Sequence, residues 1–262
     1  MRHEIDMAEA RSIAVDASGL SGDWPRGAEG SLAALLRLGS VQIDTIAVVE
    51  RAHGHVLWSR NADYRANHIP ELEAAPRRAI EYWSHAAAYL PFRDYRFCMA
   101  RMERIRADGH EWFRTDRAAA RRVLERVRAE GPLRAQDFEG KKRKAAGWWD
   151  WKPEKRALEY LFHAGELVSI GRRSFQKVYD LPERALGQDA APARPSASDY
   201  AAHYVDMAVS SLGVFAREDV AYMRRDGIEL IDEEIRARVE DGRLVELAVA
   251  GLERRRGGDY PA

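Results

Sequence analysis

Apolar positions recur along the chain with two spacings, which predict helices in some segments and strands in others. Helical spacing is found in residues 6–17, 29–38, 117–130, 154–164 and 200–212. Apolar runs in residues 40–46, 167–170 and 176–181 instead favour short strands. Asp6 is suited to cap the first helix and Gly39 to end the second. The pattern predicts a mainly α-helical protein with small β wings, an α+β fold class.

The middle and last thirds of the chain repeat each other. Residues 131–138 align without gaps with residues 213–220, and residues 164–170 align with residues 241–247. In both copies the order is helix, short break, helix, turn, helix, glycine stop and strand, which is typical of a winged helix. Residues 6–46 show the same glycine-then-strand order and are interpreted as a more divergent copy. We therefore predict tandem winged helix-turn-helix modules, three in number.

The repeat divides the chain into six predicted segments. Two of them lie between modules: one is rich in Trp, Tyr and Arg and is interpreted as helical, and the other has the composition of a linker. The segments are module 1 (1–61), a helical connector (62–113), module 2 (114–186), a linker (187–197), module 3 (198–256) and a tail (257–262).

Composition bounds the class of protein. The chain has 262 residues, 46% hydrophobic and 32% charged, as expected of a globular protein with an ample core. No apolar run approaches the ~20 residues of a membrane span, and the start is acidic where a signal peptide is basic, so we expect a cytoplasmic protein. The single Cys98 excludes an internal disulfide and a Cys-rich zinc site.

The net charge is zero, but its distribution favours a nucleic-acid partner in the middle of the chain. Residues 114–184 hold 18 Lys or Arg against 11 Asp or Glu, a net charge of +7, while residues 198–262 have a net charge of −5. A solvated basic face is the alternative. The predicted DNA-contacting cations are Arg172 and Arg173 of the wing, Lys155 of the preceding helix and the cluster Lys141, Lys142, Arg143 and Lys144.

Three indoles fall within four residues of module 2, next to basic side chains. Core or interface packing is the simpler interpretation of these indoles, and Trp149 and Trp151 are also candidates to stack on bases or fill a groove of DNA.

The segment 40–46 holds the candidate catalytic side chains. If it is extended, Gln42 and Asp44 share one face while Val41 and Ile43 share the other. A carboxylate beside apolar neighbours is costly unless it is paired, which favours a functional reason for Asp44. The alternative is that Asp44 caps a helix over residues 45–52.

Two imidazoles, His53 and His55, are two residues apart, but a third ligand at a convincing spacing is missing. We interpret them as part of a surface loop and predict neither a metal nor a cofactor.

Five segments, in order along the chain, resemble the AlkZ/YcaQ-like bacterial DNA glycosylases. They are residues 42–46 (QIDTI), 57–60 (LWSR), 81–85 (EYWSH), 147–153 (GWWDWKP) and 175–181 (FQKVYDL). The resemblance implies tandem winged helices and excision of alkylated purines, including N7 adducts and, in some members, bases in interstrand crosslinks. It identifies Gln42 and Asp44 as the catalytic pair, in the Gln-apolar-Asp branch. Family members usually continue into a β-rich C-terminal part, and we expect that part to be absent here.

An N7-alkylated purine is cationic and leaves readily, so the expected mechanism needs only a carboxylate and water. Asp44 is expected to stabilise positive charge on the sugar and activate water, with Gln42 positioning water or nucleotide. The expected partner is double-stranded DNA with alkylated bases, bound by a monomer that is nucleoid-associated when on DNA. The alternatives are a winged-helix transcriptional regulator without catalysis and a scaffold that binds another protein.

Overall fold

The computed structural model describes residues 3–74, 76–110, 113–138, 153–190, 192–222 and 227–251. The chain forms two compact units, Trp24–Pro195 and a second one in which Met1–Asp23 joins Ser196–Ala262. Helices dominate and the sheets are small, which confirms the predicted fold class. No helix within the described ranges is long and apolar enough to cross a membrane.

The helices of the described residues are α1 (Met7–Ala17), α2 (Gly27–Leu38), α3 (Ala52–Trp58), α4 (His68–Glu73), α5 (Met99–Asp108), α6 (Arg117–Glu130), α7 (Pro153–His163), α8 (Pro182–Ala185), α9 (Ala197–Ser211), α10 (Arg217–Val220) and α11 (Ile228–Glu240). The strands are β1 (His3–Ile5), β2 (Val41–Gln42), β3 (Ala79–Trp83), β4 (Ala87–Pro91), β5 (Val168–Arg173), β6 (Gln176–Asp180) and β7 (Leu247–Val249). Short 3-10 helices cover Phe92–Cys98, Ala135–Phe138 and Gly187–Ala190.

The first half of the larger unit has the element order of a winged helix. After α2 the chain forms β2, then α3 and α4, then the antiparallel hairpin β3–β4, and the sheet order is β2-β4-β3. Gly39 ends α2 with a left-handed φ of 71°, and its N–H donates to the Leu35 carbonyl at an N–O distance of 2.9 Å. Glycine adopts this conformation without the steric cost of a Cβ. The glycine stop therefore turns the chain directly into β2, as predicted.

The prediction that residues 62–113 form a helical connector is wrong for residues 79–91, which are the hairpin β3–β4. The alternating pattern of a half-exposed strand is absent here because both faces of β3 are buried over its first four residues. A strand covered on both sides has no period of two in its sequence. One of those buried residues is the carboxylate Glu81, which further obscures the strand.

The second half of the larger unit repeats the arrangement with α6, α7 and the hairpin β5–β6. Leu133 pairs with Tyr179 of β6 through two backbone hydrogen bonds, with N–O distances of 3.0 and 2.8 Å. The order Leu133, β6, β5 thus matches the order β2, β4, β3 of the first sheet. The predicted wing lies here, but its tip is Ser174 and Phe175, because residues 171–173, which were expected to form the tip, continue strand β5.

The repeat between the middle and last thirds is confirmed in the backbone. The short helix Ala135–Phe138 and α10 occupy the aligned positions, and both are preceded by a glycine with positive φ. Arg134 N donates to Asp137 Oδ2 and the aligned Ala216 N donates to Asp219 Oδ2, each at 2.8 Å. The two segments share a cap because the same aspartate recurs at the same spacing.

The smaller unit contains α1, α9, α10 and α11, and β1 pairs in parallel with β7. Asp6 caps α1 as predicted, accepting from Glu9 N at 2.8 Å. Residues 1–23 were predicted to belong to module 1, but they pack with residues 196–262. The boundary between the units falls inside the predicted linker 187–197, whose Gly187–Ala190 is a short 3-10 helix. The count of three modules and their limits stay predictions.

A buried ion pair joins the two hairpins of the larger unit. Arg172 of β5 donates through Nε and Nη2 to Oε2 and Oε1 of Glu81 on β3, at 2.9 and 2.7 Å. Lys177 adds a contact of 3.8 Å to Glu81 Oε1 and one of 2.7 Å to Glu159 Oε2. The geometry is bidentate, which is the strongest arrangement of an arginine with a carboxylate.

Glu73, at the end of α4, lies next to this pair and is 3% exposed. Its Oε1 is buried without a hydrogen-bond partner. Burial raises the pKa of Glu73 to about 8 and the charge of Glu81 acts in the same direction, against Arg77 and Arg172. Glu73 is therefore mostly protonated at neutral pH in the folded protein.

Glu73→Gln is expected to change the pH dependence of stability. Between the usual carboxyl pKa and about 8 the folded state holds a proton that the unfolded state has lost, so the free energy of unfolding falls as pH rises. Glutamine removes this dependence. From pH 5 to pH 8 the difference in free energy of unfolding between the variant and the parent should therefore shift by roughly 3 kcal/mol in favour of the variant. Urea denaturation at both pH values measures it. Glu71→Gln, on the exposed side of α4, is the control, and parallel curves for parent and Glu73→Gln would contradict the assignment.

Candidate active site

Strand β2 and the two residues that follow it present Gln42 and Asp44 away from the core. Val41 and Ile43 are buried at 2% and 7% exposure, Gln42 is exposed and Asp44 is half-buried. The Ile43 N–H donates to the Ala87 carbonyl at 2.8 Å, which continues the pairing with β4 beyond the two residues of β2. The extended backbone therefore places Gln42 and Asp44 on the same open face, as the alternation predicts.

The alternative prediction, that Asp44 caps a helix over residues 45–52, is wrong. Residues 45–51 form a loop closed by a bridge between Ala47 and Arg51, and α3 begins at Ala52. Asp44 Oδ1 instead accepts from the Ile46 N–H at 2.9 Å, which is an Asx turn. This bond orients the carboxylate and leaves Oδ2 for water or a ligand.

His85 is brought to the site by the turn between β3 and β4. Its Nε2 lies 3.2 Å from Gln42 Oε1, and both side chains are exposed. Since Oε1 is an acceptor, Nε2 carries the hydrogen in this contact, and the Gln42 amide NH₂ is left to donate elsewhere. Sequence reasoning did not assign His85 a role, although it falls in one of the quoted family segments. Only the pairing of β2 with β4 makes it a neighbour of Gln42.

His53 also lies close to the site, but inside the protein. The prediction of a surface loop is wrong for this residue, because it is buried in α3 and its ring stacks on Phe175 with centroids 6.3 Å apart. Burial lowers the pKa of His53, with Arg51 and Arg172 acting in the same direction and Glu50 and Asp44 against it. A neutral imidazole therefore packs against Phe175 and, edge-on, against Tyr89 of β4, with the latter centroids 5.6 Å apart. The described residues contain no group of three or more His, Cys, Asp or Glu side chains that could bind a metal ion.

Phe175, at the tip of the β5–β6 hairpin (the second wing), connects this hairpin to the region of the candidate active site. It and Ser174 form a two-residue turn with φ of 63° and 49°, an uncommon conformation for residues other than glycine. The Phe175 ring lies 3.6 Å from the Arg51 guanidinium carbon and 4.5 Å from that of Arg172. These cation–π contacts and the His53 stack hold the ring in place despite the backbone conformation.

The predicted DNA-contacting residues have different placements. Arg172 is engaged by Glu81 and by the Phe175 carbonyl at 2.8 Å, which does not fit a DNA contact. Arg173 is exposed near the tip of the wing, and Lys155 is half-buried in α7. Lys141, Lys142, Arg143, Lys144, Trp149 and Trp151 lie outside the described residues.

A cavity of about 520 Å³ lies at the opposite end of the β3–β4 hairpin from His85, between α2 and the start of the hairpin. It is lined by the arginines Arg77, Arg78, Arg93 and Arg96 with apolar walls. None of Gln42, Asp44 and His85 lines it. The candidate catalytic side chains therefore stand on an open strand face and not in this cavity.

Two comparisons relate the chain to known proteins. The model of a family described as "DNA glycosylase AlkZ-like" matches residues 35–262. The solved structure of Streptomyces sahachiroi DNA glycosylase AlkZ is similar with a TM-score of 0.62 at 14% identity, covering 96% of this chain and 69% of that chain. At this identity the structural likeness shows a shared fold. The family match spans most of the chain and confirms the predicted resemblance: the chain belongs to the AlkZ-like DNA glycosylase family.

Proposed function

We propose that the protein hydrolyses the N-glycosidic bond of N7-alkylated purines in double-stranded DNA, using water and no covalent enzyme intermediate. The observation that carries the proposal is the placement of Gln42 and Asp44, which face away from the core while the alternating Val41 and Ile43 anchor the segment in it. Membership of a DNA glycosylase family supplies the reaction class and the DNA partner. The proposal requires a single chain acting in the cytoplasm, without a cofactor.

The chemistry suits a site with few functional groups. Alkylation at N7 makes the purine cationic, so the pair of electrons in the C1′–N9 bond passes to the base and neutralises it. Positive charge develops on the sugar, and the Asp44 carboxylate stabilises it electrostatically. A water molecule then adds its oxygen to C1′ and gives a proton to Asp44, which passes it to solvent.

Gln42 and His85 are assigned to positioning. The contact of 3.2 Å between His85 Nε2 and Gln42 Oε1 fixes the amide plane. The Gln42 NH₂ group can then donate to the attacking water or to the sugar. Reaction rates are sensitive to displacements of about 1 Å, so a fixed amide contributes more to the rate than a freely rotating one.

Because Gln42 and Asp44 stand on an open face, we include bulky lesions among the proposed substrates. A base that carries a large N7 substituent, or one tied to the opposite strand, does not have to enter an enclosed cavity to reach Asp44. The exposed Arg173 and the half-buried Lys155 are proposed phosphate contacts, and the basic cluster at residues 141–144 is proposed to add further ones.

Asp44→Asn is expected to lower base release by roughly 10²- to 10⁴-fold while DNA binding changes little. Asparagine keeps the Oδ1 that accepts from the Ile46 N–H, so the loop is preserved and only the negative charge is lost. The substrate is a duplex with one N7-methylguanine, scored for free base by chromatography and for abasic sites by strand cleavage. Glu71→Gln is the control carboxylate variant. A transcriptional regulator would release no base and would prefer one duplex sequence. Full activity in Asp44→Asn would contradict the proposed mechanism.

His85→Ala is expected to lower the rate of base release by roughly ten- to a hundred-fold with little change in KM, since the Gln42 amide loses its fixed orientation. His85→Gln, which retains a donor at the turn, should recover part of the rate. Single-turnover kinetics across a range of DNA concentrations separate the two parameters. His55→Ala removes another exposed imidazole of the same half of the unit and should leave both unchanged. Equal rates for His85→Ala and His55→Ala would exclude the positioning role.

A further inference from the structure

The loop that follows Asp44 holds three aliphatic side chains in solvent. Ile46, Val48 and Val49 are 70%, 91% and 89% exposed. Single exposed apolar residues are common, but three within four positions form a contiguous patch of the kind that marks an interaction site. We name residues 45–51 the aliphatic loop.

The aliphatic loop is fixed at its base. Arg51 Nη1 donates to the Thr45 carbonyl at 3.1 Å, and the bridge between Ala47 and Arg51 closes the loop. The Arg51 guanidinium lies over the Phe175 ring, which ties the base of the loop to the second wing. Val and Ile are also stiff at χ1. The tip therefore presents its side chains in a nearly fixed arrangement, so little conformational entropy is lost when something covers them.

The position of the loop indicates what covers it. Ile46 is two residues from Asp44, and its N–H donates to the Asp44 carboxylate. A deoxyribose that reaches Asp44 must bring its neighbouring nucleotides onto the loop. The faces of bases are apolar and flat, while the phosphates that flank them are matched by the positive charges of Arg51 and exposed Arg173. The only acidic side chain of the loop, Glu50, accepts from the Arg51 N–H at 2.7 Å.

We propose that the aliphatic loop is a wedge that enters the base stack beside the damaged nucleotide, with Val48 and Val49 at its leading edge. Proteins that kink DNA insert apolar side chains between base steps in the same way. The wedge would unstack the damaged base and keep the gap open while Asp44 acts on the sugar. The proposal rests on the proposed function only in taking Asp44 as the point that DNA approaches.

The test uses duplexes with 2-aminopurine next to the lesion, because the fluorescence of this base rises when it is unstacked. The lesion is N7-methylguanine on a 2′-fluoro sugar, which resists bond cleavage and separates distortion from catalysis. Binding of the parent protein should raise the fluorescence by about threefold or more. Val48→Ser with Val49→Ser should abolish most of that rise at saturating protein and lower base release from the ordinary substrate roughly tenfold. Val49→Leu, which keeps an apolar tip, should retain the rise.

The control is Val245→Ser, a residue 54% exposed in the other compact unit, which should behave like the parent. A parent protein that causes no rise, or a double variant that causes the same rise as the parent, would overturn the wedge. A rise that depends on the loop, without base release from N7-methylguanine, would sustain the wedge and refute the proposed substrate. Light scattering tests a second copy as the occupant: a dimer that the double variant disrupts, with no effect of that variant on fluorescence, would assign the loop to self-association instead.

Discussion

The buried pair between Arg172 and Glu81 is the interaction on which the larger unit depends. It joins the two hairpins with two short hydrogen bonds, at a place where Glu81 is 1% exposed. Removing one partner of such a pair typically costs about 3–5 kcal/mol, because the remaining charge stays buried. The consequences extend to the site. Arg172 also lies against Phe175, Phe175 supports Arg51, and Arg51 closes the loop that follows Asp44. A single carboxylate on β3 thus organises residues far from it in sequence.

The same sheet explains why a site with so few groups is ordered. Strand β2 has only two residues and lies at an edge of its sheet, but Val41 and Ile43 are held in the core and Ile43 is hydrogen-bonded to β4. Short edge strands leave little unpaired backbone for unwanted pairing. The strand still has enough anchorage to fix two outward side chains. The hairpin turn then adds His85, so the three polar groups come from two segments that the sheet brings together. Under the proposed function the leaving group is cationic, and such a group needs little more than this.

Several elements were predictable because their signals are local. The cap at Asp6, the stop at Gly39 and the repeated Asp137 and Asp219 depend on contacts within a few residues, so the sequence alone indicates them. The outward pair at Gln42 and Asp44 follows from the period of two in an extended chain. Strand β3 could not be predicted, because burial on both faces removes that period. Arg172 was predicted as a DNA contact because its charge is visible in the sequence, whereas its buried partner Glu81, some ninety positions away, is not.

By itself, the sequence indicated α1, α2, α6, α7 and α9, the internal repeat and the alternation of Gln42 and Asp44 with apolar neighbours, since each depends on residues close along the chain. The family resemblance also came from short runs of residues that survive without knowledge of their contacts. Only the tertiary structure decided which charged side chains form ion pairs inside the protein, which imidazole contacts Gln42 and which aliphatic side chains stay exposed to water. These depend on strand pairing and burial between distant segments, and a one-dimensional pattern does not contain that information.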